Sequence, residues 1–303
     1  MTANVLVTGG AGFIGSHLTR ALIQKGYAVR VLDNLAYGRR ECIPTDALFI
    51  QGDISNLDCC HAAMQDVQYV FHCAAMSRAA PSLAQMDICT QVNIVGTQNI
   101  LMAAREAKVK KIIYSGSSTY YGNQPTPHIE YETPAEFLNF YSLSKHVGES
   151  YCLMFDKLFN LPSVILRYFN VYGPGQPRQG VYALVIGCFL DQWRRNEPLI
   201  IHGTGEQRRD FIHVQDVVQA NIAALKEDVR HQIFNIGSGT NLSIKTLAHM
   251  ISPHHVHQPR RPGDAEETLA NIERARKYLR WQPKISFAKG LSELMKADYT
   301  HRT

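Results

Sequence analysis

The chain has 303 residues, 45% of them hydrophobic, and its 31 Lys and Arg against 26 Asp and Glu give a formal charge of +5. That length allows one large domain or two smaller ones, and no block of like charges is long enough to act as a nucleic-acid arm. No run approaches the roughly eighteen apolar residues of a membrane span, and the opening Met1-Thr2-Ala3-Asn4-Val5 has no basic stretch leading into an apolar one. A soluble cytoplasmic protein with neither nucleic-acid nor membrane partner is expected, and the modest basic excess suits an anionic small molecule.

Through the first half, short β-branched apolar runs alternate with longer segments of helical period. Strands are predicted at Val5–Thr8, Ala28–Asp33, Leu48–Gln51, Tyr69–Cys73, Lys111–Ser115 and Ser163–Arg167, and helices at Gly12–Lys25, Leu57–Met64, Cys89–Ala107 and Tyr141–Asn160. This order reads as βαβ units in an α/β protein with a doubly wound, mainly parallel sheet. Unbroken runs such as Val5-Leu6-Val7 suit strands covered on both faces. After about residue 170 the pattern breaks into turns, most clearly at Tyr172-Gly173-Pro174-Gly175-Gln176-Pro177. A first domain over 1–169 and a smaller α/β lobe over 170–303 are therefore expected. Phe211–Leu225 and Ile233–Ile236 look like a helix and a strand that return to the first domain.

Gly9, Gly12 and Gly15 lie between the first strand and the first helix, where a tight turn lets backbone N–H groups approach a pyrophosphate. Their Gly-x-x-Gly-x-x-Gly spacing after Thr8 differs from the GxGxxG of classical dehydrogenases. The second strand ends in Asp33, about twenty residues on, where a carboxylate can accept both adenosine ribose hydroxyls. The unit is thus of the Rossmann type, with NAD favoured over NADP because a 2′-phosphate would meet a like charge. Asp33 also reads as a helix cap or turn residue, and Arg39 and Arg40 are available for a 2′-phosphate. Asp53 has a similar pair of readings, a turn residue or a contact to the adenine edge.

Thr8-Gly9-Gly10-Ala11-Gly12-Phe13-Ile14-Gly15 together with Tyr141-Ser142-Leu143-Ser144-Lys145 resembles the extended short-chain dehydrogenase/reductase family, in particular its nucleotide-sugar epimerases and dehydratases. The resemblance runs on through Asp53-Ile54, His72-Cys73-Ala74-Ala75, Asn93-Ile94-Val95-Gly96-Thr97, Leu166 to Pro174, Arg209 to Asp216, and Arg261-Pro262-Gly263-Asp264. It implies that Gly9, Gly12, Phe13, Ile14, Asp33, Asn34, Gly38, Asp53, Ile54, Ala74, Ala75, Asn93, Ser115, Tyr141 and Lys145 line an NAD site. Tyr168 would lie beside the nicotinamide.

A free phenol has a pKa of about 10, so a tyrosine that takes a proton from a sugar hydroxyl near neutral pH needs a cationic neighbour. On a helix the i, i+4 spacing puts Tyr141 and Lys145 on one face. By the resemblance these two and Ser117 form the catalytic set, with Tyr141 removing the C4 hydroxyl proton while the C4 hydride moves to NAD and a 4-keto sugar forms. Relatives that go on to 4,6-dehydration resemble one another in carrying an Asp-Glu pair where this chain has Ser118 and Thr119, and the decarboxylases carry a Glu there. Hydroxyls are too weak to serve as general acids or bases near neutral pH, so epimerisation is favoured. A 4-keto reductase or a dehydratase of the same family is the alternative, and a non-catalytic NAD-binding sensor is a third reading from another class. Gly116 interrupts a serine run and Tyr120 adds a bulky ring, both departures from the usual pattern.

At the substrate end the resemblance brings Arg209 and Arg261 onto a nucleoside diphosphate, with Asn170 on a phosphate and Asp264 close by, and makes Ser117 and Tyr141 contacts of the sugar. Thr268 aligns with a gate at which a small residue admits N-acetylated sugars, and Tyr182-Ala183-Leu184-Val185-Ile186 resembles epimerases that accept acetamido sugars. A UDP-sugar is the expected ligand, and a homodimer pairing Cys89–Ala107 with Tyr141–Asn160 across a two-fold axis is implied. Seven cysteines without CxxC spacing describe no disulfide framework. His254, His255 and His257 have no Cys or spaced carboxylate nearby, so a solvated loop is expected and no metal.

Overall fold

In a computed structural model, which describes residues 3–180 and 182–299, the apolar runs assemble into one seven-stranded sheet. Met1, Thr2, Val181 and residues 300–303 lie outside the described residues. The chain begins β1 (Asn4–Thr8), α1 (Phe13–Gln24), β2 (Ala28–Asp33), β3 (Leu48–Gln51), α2 (Leu57–Met64) and β4 (Tyr69–His72). It continues α3 (Ala79–Ala84), α4 (Met86–Thr90), α5 (Gly96–Glu106), β5 (Lys111–Ser117), α6 (Phe140–Phe159), β6 (Ser163–Tyr168) and β7 (Asn170–Tyr172). The remainder is α7 (Val185–Arg194), β8 (Leu199–His202), β9 (Arg208–Arg209), β10 (Phe211–His213), α8 (Val214–Ala223), β11 (Gln232–Ile236), β12 (Leu242–Ser243), α9 (Ile244–Ile251), β13 (His255–Gln258) and α10 (Phe287–Tyr299).

The large sheet runs β11-β6-β5-β4-β1-β2-β3, with every pairing parallel. Helices cover both faces, which is why Val5, Leu6 and Val7 are all fully buried: Val5 and Val7 pack toward α1 and α8, Leu6 toward α2 and α5. Each such side chain contributes roughly 1.5–3 kcal/mol by leaving water. Strand β11 arrives from well beyond residue 170 to flank β6, and Val214, Val217 and Val218 of α8 join the same core as Leu18 and Leu22 of α1. A separate apolar core gathers Tyr172, Phe189, Leu199, Ile201, Leu247 and Leu291.

Two local differences from the sequence reading have physical causes. The helix expected over Cys89–Ala107 starts earlier, at Met86, and widens to a π turn at Gln91–Val95. Within that turn Asn93 bonds Met76 and Ser144, and Thr97 Oγ1 donates to the Asn93 carbonyl at 2.7 Å. Of the histidines expected in a loop, His254 lies in one, whereas His255 and His257 belong to β13, because His255–Gln258 pairs in register with Leu199–His202. His254 and His257 are solvent-exposed, and among the described residues no three His, Cys, Asp or Glu side chains gather as metal ligands do.

Candidate active site

The carboxyl ends of β1, β2, β4 and β5 bring the predicted residues to one edge of the sheet. After β1 the chain turns at Gly9, whose φ of 71° is a left-handed conformation, and Gly12 N–H donates to the Gly9 carbonyl at 3.1 Å. A Cβ on Gly15 would lie 2.2 Å from the Gly9 carbonyl oxygen, so α1 can start this close to β1 with glycine alone. Replacing Gly15 by Ala is expected to lower stability by about 1–3 kcal/mol and to strip the purified protein of its dinucleotide; full retention, read from the absorbance of released cofactor, would contradict this role.

Asp33 closes β2 and braces the same turn: Ala11 N–H donates to Oδ2 at 3.0 Å and Leu35 N–H to Oδ1 at 2.8 Å. Arg39 pairs with exposed Glu41 and Arg40 stacks on Phe49, so neither guanidinium is paired with Asp33. Asp53 accepts from the Asn34 side chain at 2.7 Å and from Ser55 N–H at 2.7 Å. Burial raises its pKa, but these hydrogen bonds outweigh that and leave the carboxyl below its ordinary value. Gly38 packs against Ala11, Ile54 packs against Gly96, and Phe13 and Ile14 open α1 beside the turn. Ala74 N–H donates to Thr8 Oγ1 at 3.2 Å, which draws the segment Ala74-Ala75 to the end of β1.

Behind that segment His72 bridges Thr8 and Thr97 at 2.7 and 3.0 Å. The Thr97 hydroxyl proton is spent on Asn93, so His72 carries its proton on Nε2 and accepts at Nδ1. Burial, aided by Lys145, pushes the imidazole down to about 3, so it stays neutral. Asn93 spends its amide on Met76 and Ser144, so it shapes the site by clamping the loop after β4 to α6.

The start of α6 is fixed by a capping box, in which Ser142 N–H donates to Asn139 Oδ1 at 2.9 Å. Tyr141 N–H donates to Ser82 Oγ of α3 at 3.0 Å, and the Tyr141 phenol lies near enough to Ser117, at the end of β5, for that hydroxyl to act on its ionisation. Burial raises the phenol pKa, opposed by Ser117 and by the charge of Arg78. Lys145, one turn on, is buried with Nζ 4.2 Å above the Tyr114 ring, and burial lowers its ammonium to about 8. Ser117 also pairs with the Thr119 hydroxyl at 2.8 Å. Tyr168 donates to Asn221 at 2.9 Å and pairs with Ser115 at 3.2 Å.

The two departures noted in the sequence have structural roles. A Cβ on Gly116 would crowd Ile165 at 3.0 Å, so glycine lets β5 and β6 approach. Tyr120 lies under Arg167, 3.6 Å from guanidinium to ring centre, and Arg167 forms a buried ion pair with Glu149 at 2.5 Å.

Among the residues expected at the substrate, Arg209 donates to the carbonyls of Arg208, Ala265 and Glu266, so it holds the 264–267 loop in place. Arg261 and Asp264 are exposed on that loop and line an open cavity of about 410 Å³ with Asn123 and Leu138. Asn170 donates to Thr268 Oγ1 at 3.2 Å and to the Asp210 carbonyl, and Thr268 is buried. Sequence reasoning passed over Arg78, Ser82, Tyr114 and Glu149. A basic residue just past Ala74-Ala75 was a visible signal for Arg78; for the others there was none.

A parallel sheet with a glycine turn, an acidic residue closing β2 and a Ser/Tyr/Lys set at one edge defines an α/β dinucleotide-binding enzyme. Residues 5–237 match the model of the NAD dependent epimerase/dehydratase family, and the chain belongs to that family. It is 33% identical to a UDP-N-acetyl-alpha-D-glucosaminuronate decarboxylase of Bacillus cytotoxicus, over 97% of each chain. The UDP-glucose 4-epimerase of Thermotoga maritima, solved with UDP-glucose, superposes with a TM-score of 0.93 at 33% identity, covering 98% of each chain. The Thermus thermophilus UDP-glucose 4-epimerase, solved with NAD, gives a TM-score of 0.92 at 30% identity, covering 98% of this chain and 99% of that one. The chain is an NAD-dependent enzyme of this nucleotide-sugar family, and the glycine turn, which a Cβ would fill, with the acidic end of β2 fits the dinucleotide.

Proposed function

We propose that the chain is a nucleotide-sugar 4-epimerase acting on a UDP-hexose or UDP-N-acetylhexosamine. The observation that carries this reading is the Ser117–Tyr141–Lys145 set standing beside Ser118 and Thr119, where no carboxylate is present. Tyr141 takes the proton of the C4 hydroxyl and returns it, and Ser117 holds the reacting oxygen and relays the proton. When bound, NAD supplies the two-electron redox chemistry at C4. The charge of Arg78 favours the ionised phenol against the burial that raises its pKa, and Lys145 stands one helical turn further along α6. With no acid or base at 118 or 119 to carry the 4-keto sugar into elimination, the sugar turns in the site and is reduced on its other face.

The residues named above for NAD, and Asn170, Arg209, Arg261, Asp264 and Thr268 for the nucleotide sugar, are part of this reading. So is a division near residue 169, with β11 and α8 serving the first domain. Exposed Ile88 on α4 and Leu143, Met154, Leu158 and Phe159 on α6 support a homodimer across these helices. Seven free cysteines suit a reducing cytoplasm, and synthesis of a polysaccharide precursor is the role in view. Incubation of purified protein with UDP-GlcNAc and UDP-glucose, without added coenzyme, should yield C4 epimers by NMR. Net consumption of NAD(P)H, or a 4-keto-6-deoxy product, would replace this reading with a reductase or a dehydratase.

A further inference from the structure

The loop that carries Arg261 and Asp264 is held from two directions. On one side Arg209 donates to the Ala265 carbonyl at 2.7 Å and to the Glu266 carbonyl at 3.2 Å, and Arg208 N–H donates to the same Glu266 carbonyl at 2.9 Å. On the other side stand two asparagines. Glu266 N–H donates to Asn123 Oδ1 at 2.7 Å, and Asn139 Nδ2 donates to the Gly263 carbonyl at 3.2 Å. Asn123 follows the short turn Ser118–Tyr121 that leaves Ser117, and Asn139 comes two residues before Tyr141.

Asn139 uses both ends of its amide. Oδ1 accepts Ser142 N–H at 2.9 Å and caps α6, while Nδ2 reaches away from the helix to the loop. A cap needs only an acceptor, so Ser or Asp would serve α6 as well. Neither replaces the second contact: a serine side chain is too short to reach Gly263, and an aspartate carboxylate has no donor for its carbonyl. Gly263 turns the loop with φ at 78°, and a Cβ on it would stand 3.4 Å from the Leu138 carbonyl oxygen and 3.8 Å from Asn139 Cβ. The turn of the loop therefore rests on the two residues that precede α6. Asn123, Leu138, Arg261, Gly263 and Asp264 line one open cavity, so the contact lies at its wall.

We infer that Asn139 is a positioning residue for the nucleotide: by holding the Gly263 carbonyl it fixes Arg261 and Asp264, its near neighbours on the loop, where they receive the nucleoside diphosphate. Asn139 acts through the loop and touches no reacting atom. An exposed turn built on a left-handed glycine has conformational freedom to lose when a ligand is bound, and a bond that orders it beforehand lowers that cost. The bond is the same in the ground state and the transition state, so its effect falls on KM and leaves kcat. This inference rests on the assignment of Arg261 and Asp264 to the nucleoside diphosphate made above.

The test is calorimetric titration of the NAD-loaded protein with UDP, for the unaltered chain, Asn139→Ser, Asn139→Ala, Arg261→Ala and the double variant Asn139→Ser/Arg261→Ala. Asn139→Ser keeps the cap, so its thermal midpoint without nucleotide should match that of the unaltered chain. Its Kd for UDP should rise by about three- to tenfold, the range of one hydrogen bond, and KM for the nucleotide sugar should rise by the same factor while kcat holds. Asn139→Ala should weaken UDP equally and also lower the midpoint, because the cap is gone. In the double variant the two losses should sum to less than their separate values, since the asparagine acts through the arginine. A Kd for Asn139→Ser that rises by less than about threefold, full additivity, or a fall in kcat to match the rise in KM overturns the role of Asn139 and leaves the nucleotide site standing. No binding of UDP by the unaltered chain, or binding untouched by Arg261→Ala, overturns the assignment of the loop and the role of Asn139 with it.

Discussion

Tyr141→Phe is expected to lower kcat/KM by about 10³-fold or more while the protein keeps its dinucleotide and still binds the nucleotide sugar. The substitution removes one oxygen. The backbone of Tyr141 stays tied to Ser82, and the capping box of Asn139 and Ser142 still sets the start of α6. What is lost is the phenol oxygen proposed as the proton acceptor, beside Ser117. Initial rates of C4 epimer formation, with bound NAD measured in parallel, give the answer. A variant within tenfold of the unaltered enzyme would remove Tyr141 from the chemistry, because general-base contributions are about 10²–10⁴-fold.

Lys145→Met should separate activity from stability. Lys145 is 6% exposed, and its ammonium, held above Tyr114, titrates at about 8 in the folded protein against an ordinary value of 10.5. Below pH 8 both folded and unfolded chains carry the proton, and the cost of burying the charge is borne in full. As pH rises from about 8 to 10.5 the folded state has lost its proton while the unfolded state still holds it, so stability climbs. A methionine of similar length escapes this cost. The variant, stripped of NAD, should be more stable than the unaltered chain by about 1–3 kcal/mol at pH 7, with the gap closing toward pH 10.5. Its turnover should fall by roughly 100-fold. Urea unfolding at a series of pH values measures the gap, and a variant less stable than the unaltered chain at pH 7 would show that the contact with Tyr114 outweighs the burial cost.

The parts of this fold legible in the sequence are those whose residues act through local pattern. The run Val5-Leu6-Val7 announces a strand covered on both faces, and the turn Gly9 to Gly15 and the acidic end of β2 lie where their spacing placed them. Local pattern ended the strand at Ser115 and left out Gly116-Ser117. The segment is the continuation of β5, because Leu166–Tyr168 of β6 pairs with it and buries its hydroxyls. The π turn at Gln91–Val95 was equally hidden, since the bonds that accompany it come from Met76 and Ser144. Arg78 shows the limit most clearly. Its side chain is held by a carbonyl on a distant loop and its buried Nε has no acceptor, and neither is written in the residues beside it.

The late arrival of β11 bears on how the protein is made. Until Gln232–Ile236 has left the ribosome, β6 is an open edge of a sheet that is otherwise complete, with a full row of amides and carbonyls facing outward. Such an edge is a template for pairing with a neighbouring nascent chain. The last strand therefore acts as a latch, and truncation between Tyr168 and Gln232 leaves a chain that carries Ser117, Tyr141 and Lys145 on a sheet prone to aggregate.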